Sequence, residues 1–369
     1  MSKAEKIIAV TMPKWGLSMT EGKVMEWLVE EGTELSLGDP MVDIETEKIA
    51  NTFESLDTGV LRKIVAQPDE ILPIGALMGV IADPVVSDAK VSSFIEEFLA
   101  NYVPPDPEEE GSEDGFSFME LDNYRIRYSR MGTADRTIVL IHGFGGGADR
   151  WLFTQQPLSD VATVYALDLP GHGQSSKSVS DATIEGLAKV VLSFLDALGI
   201  EKTELIGHSL GGAIALQAAE LQADRIEKLT LIAPAGLGPE INGEYIKKFI
   251  SADSRKDMKA ALQTLVADPS LVNRSLVDDM LKYKRTDGVS EALEKIASEF
   301  VSDEGAQTVD LRHALSSLPS TTLIWGSEDM IIPAKHSEGL SDLVSVHIIA
   351  GFGHLVQLEA AAEVNKLLS

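Results

Sequence analysis

Apolar and polar positions follow two regimes along this chain. Up to about residue 83 the apolar residues come in short runs, such as Lys23–Val29 and Leu61–Ala66, punctuated by glycine and proline, which is the pattern of short strands. The stretch also repeats itself. At an offset of 37 residues Gly22 matches Gly59, Leu35 matches Leu72, Gly38 matches Gly75, Met41 matches Met78 and Ile44 matches Ile81, while Val24/Leu61 and Leu37/Ile74 keep their apolar character. Two copies are too few for a solenoid. The pattern therefore predicts one all-β sandwich of two similar halves over residues 1–83. Between the halves lies DIETEKIANTF, in which Asp43–Glu45 and Ile49–Phe53 read as hairpin arms with Thr46-Glu47-Lys48 at the tip.

From about Glu120 onwards buried strands alternate with helices. The strand candidates are Arg136–His142, Thr163–Asp168, Thr203–Gly207, Lys228–Ala233, Thr322–Trp325 and Val344–Ile349, with helices such as Asp181–Leu198 and Leu210–Gln222 between them. Short apolar strands alternating with helices predict a doubly wound α/β fold with a mostly parallel sheet over residues 118–369. A mostly helical insertion at 237–318 reads as a cap. The intervening residues 84–117 read as a linker. Val91, Phe94, Ile95, Phe98 and Leu99 have helical spacing and predict one short helix, and VPPDPEEEGSEDG predicts an extended, disordered tether.

Composition narrows the classes. Two domains suit 369 residues. A net charge of −27, spread over all three segments, argues against nucleic acid as a partner, since phosphate binding needs a basic surface. The absence of cysteine removes disulfides and thiol nucleophiles and suits a reducing compartment. The N-terminus is no signal peptide, and no apolar run approaches the ~20 residues that span a bilayer. A soluble, cytoplasmic protein without a membrane partner is expected, and no metal site is called for.

The chemistry concentrates in a few loops. Gly207-His208-Ser209-Leu210-Gly211 follows a predicted strand and opens a Gly/Ala-rich helix, the context in which G-x-S-x-G forms a nucleophile elbow rather than an ordinary capped turn. A serine hydroxyl needs a base. Of seven histidines, His142, His172, His208, His313, His336 and His347 read as structural or solvated. His354 follows the last strand in Gly351-Phe352-Gly353-His354 and is alone placed for the order serine, acid, histidine. The acid belongs on the loop Gly326-Ser327-Glu328-Asp329, with Asp329 preferred and Glu328 the alternative. In His142-Gly143-Phe144-Gly145-Gly146 the glycines allow the backbone N–H of Phe144 to join that of Leu210 as an oxyanion hole. Lys247 and Lys248 read as a solvated cap pair, with coenzyme phosphates as the alternative.

Two resemblances follow from these motifs. MPKWGLSMTEGKVMEW and ETEKI over residues 7–81 resemble the lipoyl domains of 2-oxo acid dehydrogenase complexes, which implies lipoate attached to Lys48 by a lipoylating enzyme. Related biotin carriers flank their lysine with methionine, whereas Glu47 and Ile49 flank Lys48. Glu47 stands where aspartate is commoner. The elbow, the His142 loop, the His354 loop and Asp168-Leu-Pro-Gly-His-Gly-Gln-Ser175 resemble the α/β-hydrolase family over nearly all of 120–369. Joined in one chain, the two resemble the transacylase components of bacterial acetoin dehydrogenase complexes. That resemblance implies acetyl transfer from lipoyl-Lys48 to coenzyme A, with a thiamine-diphosphate enzyme and a dihydrolipoyl dehydrogenase as partners. The His-x-x-x-Asp-Gly signature of ordinary 2-oxo acid dehydrogenase transacylases is absent, and no peripheral-subunit-binding domain is recognisable. Three readings stay open: the acetyltransferase, a hydrolase that gives the acyl group to water, and a carrier with a silent hydrolase domain.

Overall fold

The computed structural model describes residues 6–13, 21–46, 50–104, 116–121, 123–318 and 320–368. The chain divides into two compact units, Met1–Gly115 and Phe116–Ser369.

The first unit is a sandwich of two four-stranded sheets. One has the order Ile7–Thr11, Leu77–Ala82, Gly59–Ile64, Glu34–Leu35, and the other Ala50–Glu54, Pro40–Glu45, Glu21–Trp27, Ile71–Pro73. All pairings are antiparallel. The two halves of the sequence exchange strands, since Glu34–Leu35 pairs with Gly59–Ile64 and Ile71–Pro73 with Glu21–Trp27. The repeat is thus explained by packing. Met41, Met78, Ile44 and Ile81 are all buried, and Gly38 and Gly75 both take left-handed backbone, at φ 88° and 77°.

The hairpin between the halves is formed by Pro40–Glu45 and Ala50–Glu54, with Glu45 opposite Ala50. Residues 46–49 connect the arms, and Lys48, with Glu47 and Ile49, lies outside the described residues. The opening residues 14–20 lie outside them as well.

The helix predicted within the linker spans Asp88–Asn101, and it does not stand free. Val91 is buried with Leu77, Val80, Ala82 and Val86 of the sandwich, and Phe94, Ile95 and Phe98 pack on the same cluster. Its two ends are pinned. Arg62 Nη1 donates to Val86 O at 2.7 Å, and the Tyr102 hydroxyl donates to Ile74 O at 2.6 Å. Residues 88–101 are therefore part of the carrier unit and not of an extended tether. The Pro-rich acidic stretch at 105–115 lies outside the described residues.

The second unit is built on an eight-stranded sheet. Its order is Ser345–Ile349, Thr321–Gly326, Ile226–Ile232, Thr203–His208, Thr137–Ile141, Thr163–Leu167, Tyr124–Met131, Phe116–Leu121. The first six strands are parallel and the last two join antiparallel. The edge hairpin is absent from the sequence reading, although Tyr124–Met131 alternates as a half-buried strand does. Arg125 and Arg127 lay their guanidinium groups 3.6 and 3.3 Å from the ring centroids of Phe118 and Phe116, so cations cover the edge aromatics.

Helix Ile184–Ala197 starts one turn later than its apolar pattern suggests, because the Thr183 side chain caps it by accepting from Gly186 N–H at 3.0 Å. Between Ile226–Ile232 and Thr321–Gly326 the chain leaves the sheet for helices Gly243–Ser251, Arg255–Gln263, Arg274–Lys284 and Val289–Phe300, which form the cap. No helix among the described residues is long and apolar enough to cross a membrane.

Docking of Asp88–Asn101 has a measurable consequence. Replacing Val91 by Asp puts a charge into a closed apolar cluster and is expected to release the helix. Hydrogen exchange should then show fast amides over 88–101, with the sandwich strands still protected.

Candidate active site

Strand Thr203–His208 runs directly into Ser209, and helix Leu210–Leu221 starts on the next residue. Ser209 sits at φ 55°, ψ −118°, a strained conformation for a residue with a side chain. The turn closes only because its flanks have no Cβ. One at Gly207 would lie 2.2 Å from Gly211 O, and one at Gly211 would lie 2.2 Å from Ile141 O. Ser209 N–H donates to Ile232 O at 2.9 Å, and Ser209 O accepts from Gly212 and Ala235 N–H at 2.9 and 3.0 Å. The backbone is held on both sides, so the strain persists.

His354 and Asp329 come together. His354 Nδ1–H donates to Asp329 Oδ2 at 2.7 Å, and both side chains are buried. Four donors surround the carboxylate. Besides His354, Trp325 Nε1–H donates to Oδ2 at 3.0 Å, and the Ile331 and Ile332 N–H groups donate to Oδ1 at 2.8 and 3.0 Å. Glu328 is exposed and accepts from the Ser327 hydroxyl at 3.2 Å. Of the two candidate acids, Asp329 is the one that meets His354. Trp325 was not singled out by sequence, because a Trp inside a buried strand reads as core.

His208 Nε2–H donates to the His354 carbonyl at 2.9 Å, with ring centroids 4.7 Å apart. Imidazole rings therefore crowd the elbow. Among the described residues no hydrogen bond joins Ser209 Oγ to His354. Burial and the neighbouring His354 hold His208 well below the usual histidine pKa, so it is a neutral tie between elbow and loop.

The other wall is the loop His142–Gly146. A Cβ on Gly143 would lie 3.0 Å from Ser209 Cβ, which sets Phe144 beside the nucleophile. Neither the Phe144 nor the Leu210 N–H donates to a main-chain carbonyl among the described residues, as an oxyanion hole requires. The Phe144 ring packs on Phe249 and Phe300 of the cap, at centroid distances of 6.0 and 5.8 Å.

Behind this loop stands a buried group that sequence reading passed over. Asp168 accepts from Ala148 N–H at 2.7 Å, Gln174 N–H at 2.8 Å and Arg127 Nη1 at 3.0 Å. Burial alone pushes this carboxyl up. The charges on Arg127 and His142 and the two amides outweigh it and hold Asp168 below the ordinary range. Its sequence signal was the DLPGHG loop itself. His172 in that loop is buried, and burial pushes its pKa down to about 3, so it is neutral. The remaining histidines are His313, paired with Glu220, His336, paired with Glu240, and His347 in the edge strand. The cap lysines are engaged: Lys248 with Glu244 at 2.8 Å, and Lys247 with the Asp303 carbonyl at 3.0 Å. Among the described residues no cluster of three or more acidic or histidine side chains could hold a metal ion.

Comparison with known proteins accords with this geometry. Residues 136–361 match the family described as alpha/beta hydrolase fold, and residues 8–81 match that described as biotin-requiring enzyme. Over 98% of its length the chain is 43% identical to the dihydrolipoyllysine-residue acetyltransferase component of the acetoin cleaving system of Cupriavidus necator, covering 96% of that protein. It is 41% identical, over 98% of its length and 97% of the relative, to the component of the same name from Pseudomonas putida. The chain belongs to the family of acetoin cleaving system acetyltransferase components.

The matches to these acetyltransferase components span 98% of the chain, and so cover the sandwich as well as the hydrolase fold. The hydrolase unit has further relatives. Over 67% of the chain and 91% of the relative it is 30% identical to a 2-hydroxy-6-oxo-6-phenylhexa-2,4-dienoate hydrolase of Burkholderia cepacia. In fold it matches a meta-cleavage product hydrolase from Pseudomonas fluorescens, with a TM-score of 0.62 over 68% of this chain and 95% of that one, at 24% identity. The chain is an acyltransferase built on a hydrolase scaffold.

Two measurements probe the supports. Trp325→Phe removes the single Nε1–H that Asp329 Oδ2 and the Ile332 carbonyl share, and is expected to cost about 1–3 kcal/mol by denaturant titration. Asp168→Asn leaves Arg127 with a neutral partner and should cost about 3–5 kcal/mol. Because the folded pKa of Asp168 lies below its unfolded value, its stabilisation is present above the unfolded carboxylate pKa and is lost as pH falls through the folded one. Wild-type stability should thus decline more steeply than that of the Asn variant below about pH 4.

Proposed function

We propose that this protein passes an acetyl group from dihydrolipoyl-Lys48 to coenzyme A through an acetyl-Ser209 intermediate. The observation that carries this reading is the buried His354–Asp329 pair beside an elbow-mounted serine, in a chain whose other unit is a lipoyl carrier. The hairpin fits an attachment lysine, since arms paired up to Glu45 and Ala50 leave residues 46–49 as the connection.

Lipoate supplies one thing, an acyl group held as a thioester on a movable arm. The chain does the rest. His354 takes the Ser209 proton as the hydroxyl attacks the thioester carbonyl. The amides of Phe144 and Leu210 receive the negative charge on the carbonyl oxygen, each worth about 3 kcal/mol in comparable sites. Asp329 holds the His354 tautomer and stabilises the imidazolium. His354 returns the proton to the departing sulfur, leaving acetyl-Ser209. It then deprotonates the coenzyme A thiol, which attacks the ester carbonyl and regenerates Ser209. The family name describes a component of a multienzyme system, and the fitting partners are a thiamine-diphosphate enzyme that loads the arm and a dihydrolipoyl dehydrogenase that reoxidises it.

Kinship to ring-cleavage product hydrolases supports a second reading, in which water takes the acyl group. One experiment separates the two. Lipoylated protein carrying labelled acetyl is mixed with coenzyme A, and label is followed into acetyl-coenzyme A, acetate or protein. Transfer to coenzyme A is expected. Ser209→Ala and His354→Ala should each slow it by about 10⁴-fold or more, and release to acetate alone supports the hydrolase. Lys48→Arg should abolish lipoylation, seen by intact mass, while hydrolysis of small esters at Ser209 survives.

A further inference from the structure

The loop that presents His354 is anchored from two sides. On one, Glu328 N–H donates to Phe352 O and Gly351 N–H donates to the Ser327 hydroxyl, both at 2.9 Å, which ties the loop to the turn that holds Asp329. The other side is tied to the cap. Glu359, at the end of the short helix Val356–Glu359, turns its carboxylate back on the loop. Its Oε1 accepts from Gly353 N–H at 3.0 Å, and its Oε2 accepts from Ala267 N–H, in the inserted cap, at 2.7 Å. Next to this bridge Leu355 N–H donates to the cap carbonyl of Leu265 at 3.1 Å. The approach is close, since a Cβ on Gly353 would lie 2.7 Å from Ala267 N and 2.9 Å from the Val266 carbonyl carbon.

One carboxylate thus links the residue before His354 to a segment of the cap, and each oxygen serves one side. Burial pushes the Glu359 carboxyl up in pKa, and the two amides and His354 oppose that push. A half-buried carboxylate in this place carries a desolvation cost that a plain surface residue avoids. The titratable groups around His354 are Asp329 from the turn after Thr321–Gly326, His208 from the elbow, and Glu359 from its own helix.

We propose that Glu359 is a positioning residue that couples the seating of the cap to the placement of His354, so that the imidazole is aligned only while residues 265–267 are in place. This rests on His354 serving as the base. A cap that lifts to admit a thioester arm withdraws Ala267 from Glu359 and Leu265 from Leu355, and the base loop loses its second set of anchors.

The test uses full-length lipoylated protein in single-turnover acetyl transfer at varied coenzyme A concentration, with thermal stability measured alongside. In Glu359→Gln one oxygen becomes an NH₂ that faces a backbone donor. The maximal rate should fall about tenfold while the half-saturating coenzyme A concentration stays at its wild-type value. Glu359→Asp is too short to span both amides and should lose maximal rate in the same way. A wild-type maximal rate in Glu359→Gln, or a lowered melting temperature with kinetics unchanged, overturns the proposal. Full transfer in Ser209→Ala and His354→Ala overturns the serine mechanism and this proposal with it. Full transfer in Glu359→Gln alone overturns only the coupling.

Discussion

A serine held in a conformation that side chains avoid is the constraint from which the catalytic unit follows. Ser209 keeps φ 55° because strand Thr203–His208 and helix Leu210–Leu221 meet with no residue to spare, and because Gly207 and Gly211 let neighbouring backbone come within contact. The sheet supplies the rigidity. Both neighbours of the elbow strand are parallel and buried, and the Ser209 amide is bonded across to Ile232. The cost of the strain is spread over a core of many apolar side chains, which is why a local penalty of about 1–3 kcal/mol is tolerated.

The remaining parts of the site are held by buried and half-buried polar groups. Trp325 and two backbone amides fix Asp329, His208 holds the His354 carbonyl, Asp168 fixes the turn behind Phe144, and Glu359 grips the residue before His354. Each is buried or half-buried, and each is hydrogen-bonded to a partner outside its own strand or helix. The hydrolase fold thus provides a loop cluster at the ends of its parallel strands, and buried hydrogen bonds turn mobile loops into a fixed arrangement. Fold alone leaves the acceptor open. The proposed thioester substrate rests on the lipoyl-type unit carried by the same chain.

The linker shows how packing reassigns a segment. Its apolar positions have helical spacing, yet spacing cannot say which surface receives them. The receiving surface is the sandwich strand Leu77–Ala82, buried at every position, whose Leu77, Val80 and Ala82 cluster with Val91 of helix Asp88–Asn101. A carrier that recruits the start of its own linker gains apolar burial at the expense of reach.

Sequence alone determined the parts whose chemistry is local. The internal repeat fixed the sandwich, G-x-S-x-G after a strand fixed the elbow, and strand–helix alternation fixed the parallel sheet, because each is dictated by spacing or by the absence of a Cβ. His354 was legible from chain order. Between Glu328 and Asp329 sequence left a choice, since both lie on one turn. Only the fold decided it, by turning Asp329 onto Trp325 and leaving Glu328 in solvent. Trp325 and Glu359 were invisible in advance for the same reason, and Asp168 showed only as part of the DLPGHG loop. Their roles depend on partners 4 to 92 residues away in sequence, and a buried polar group acquires its meaning only from the donors that tertiary contact brings to it.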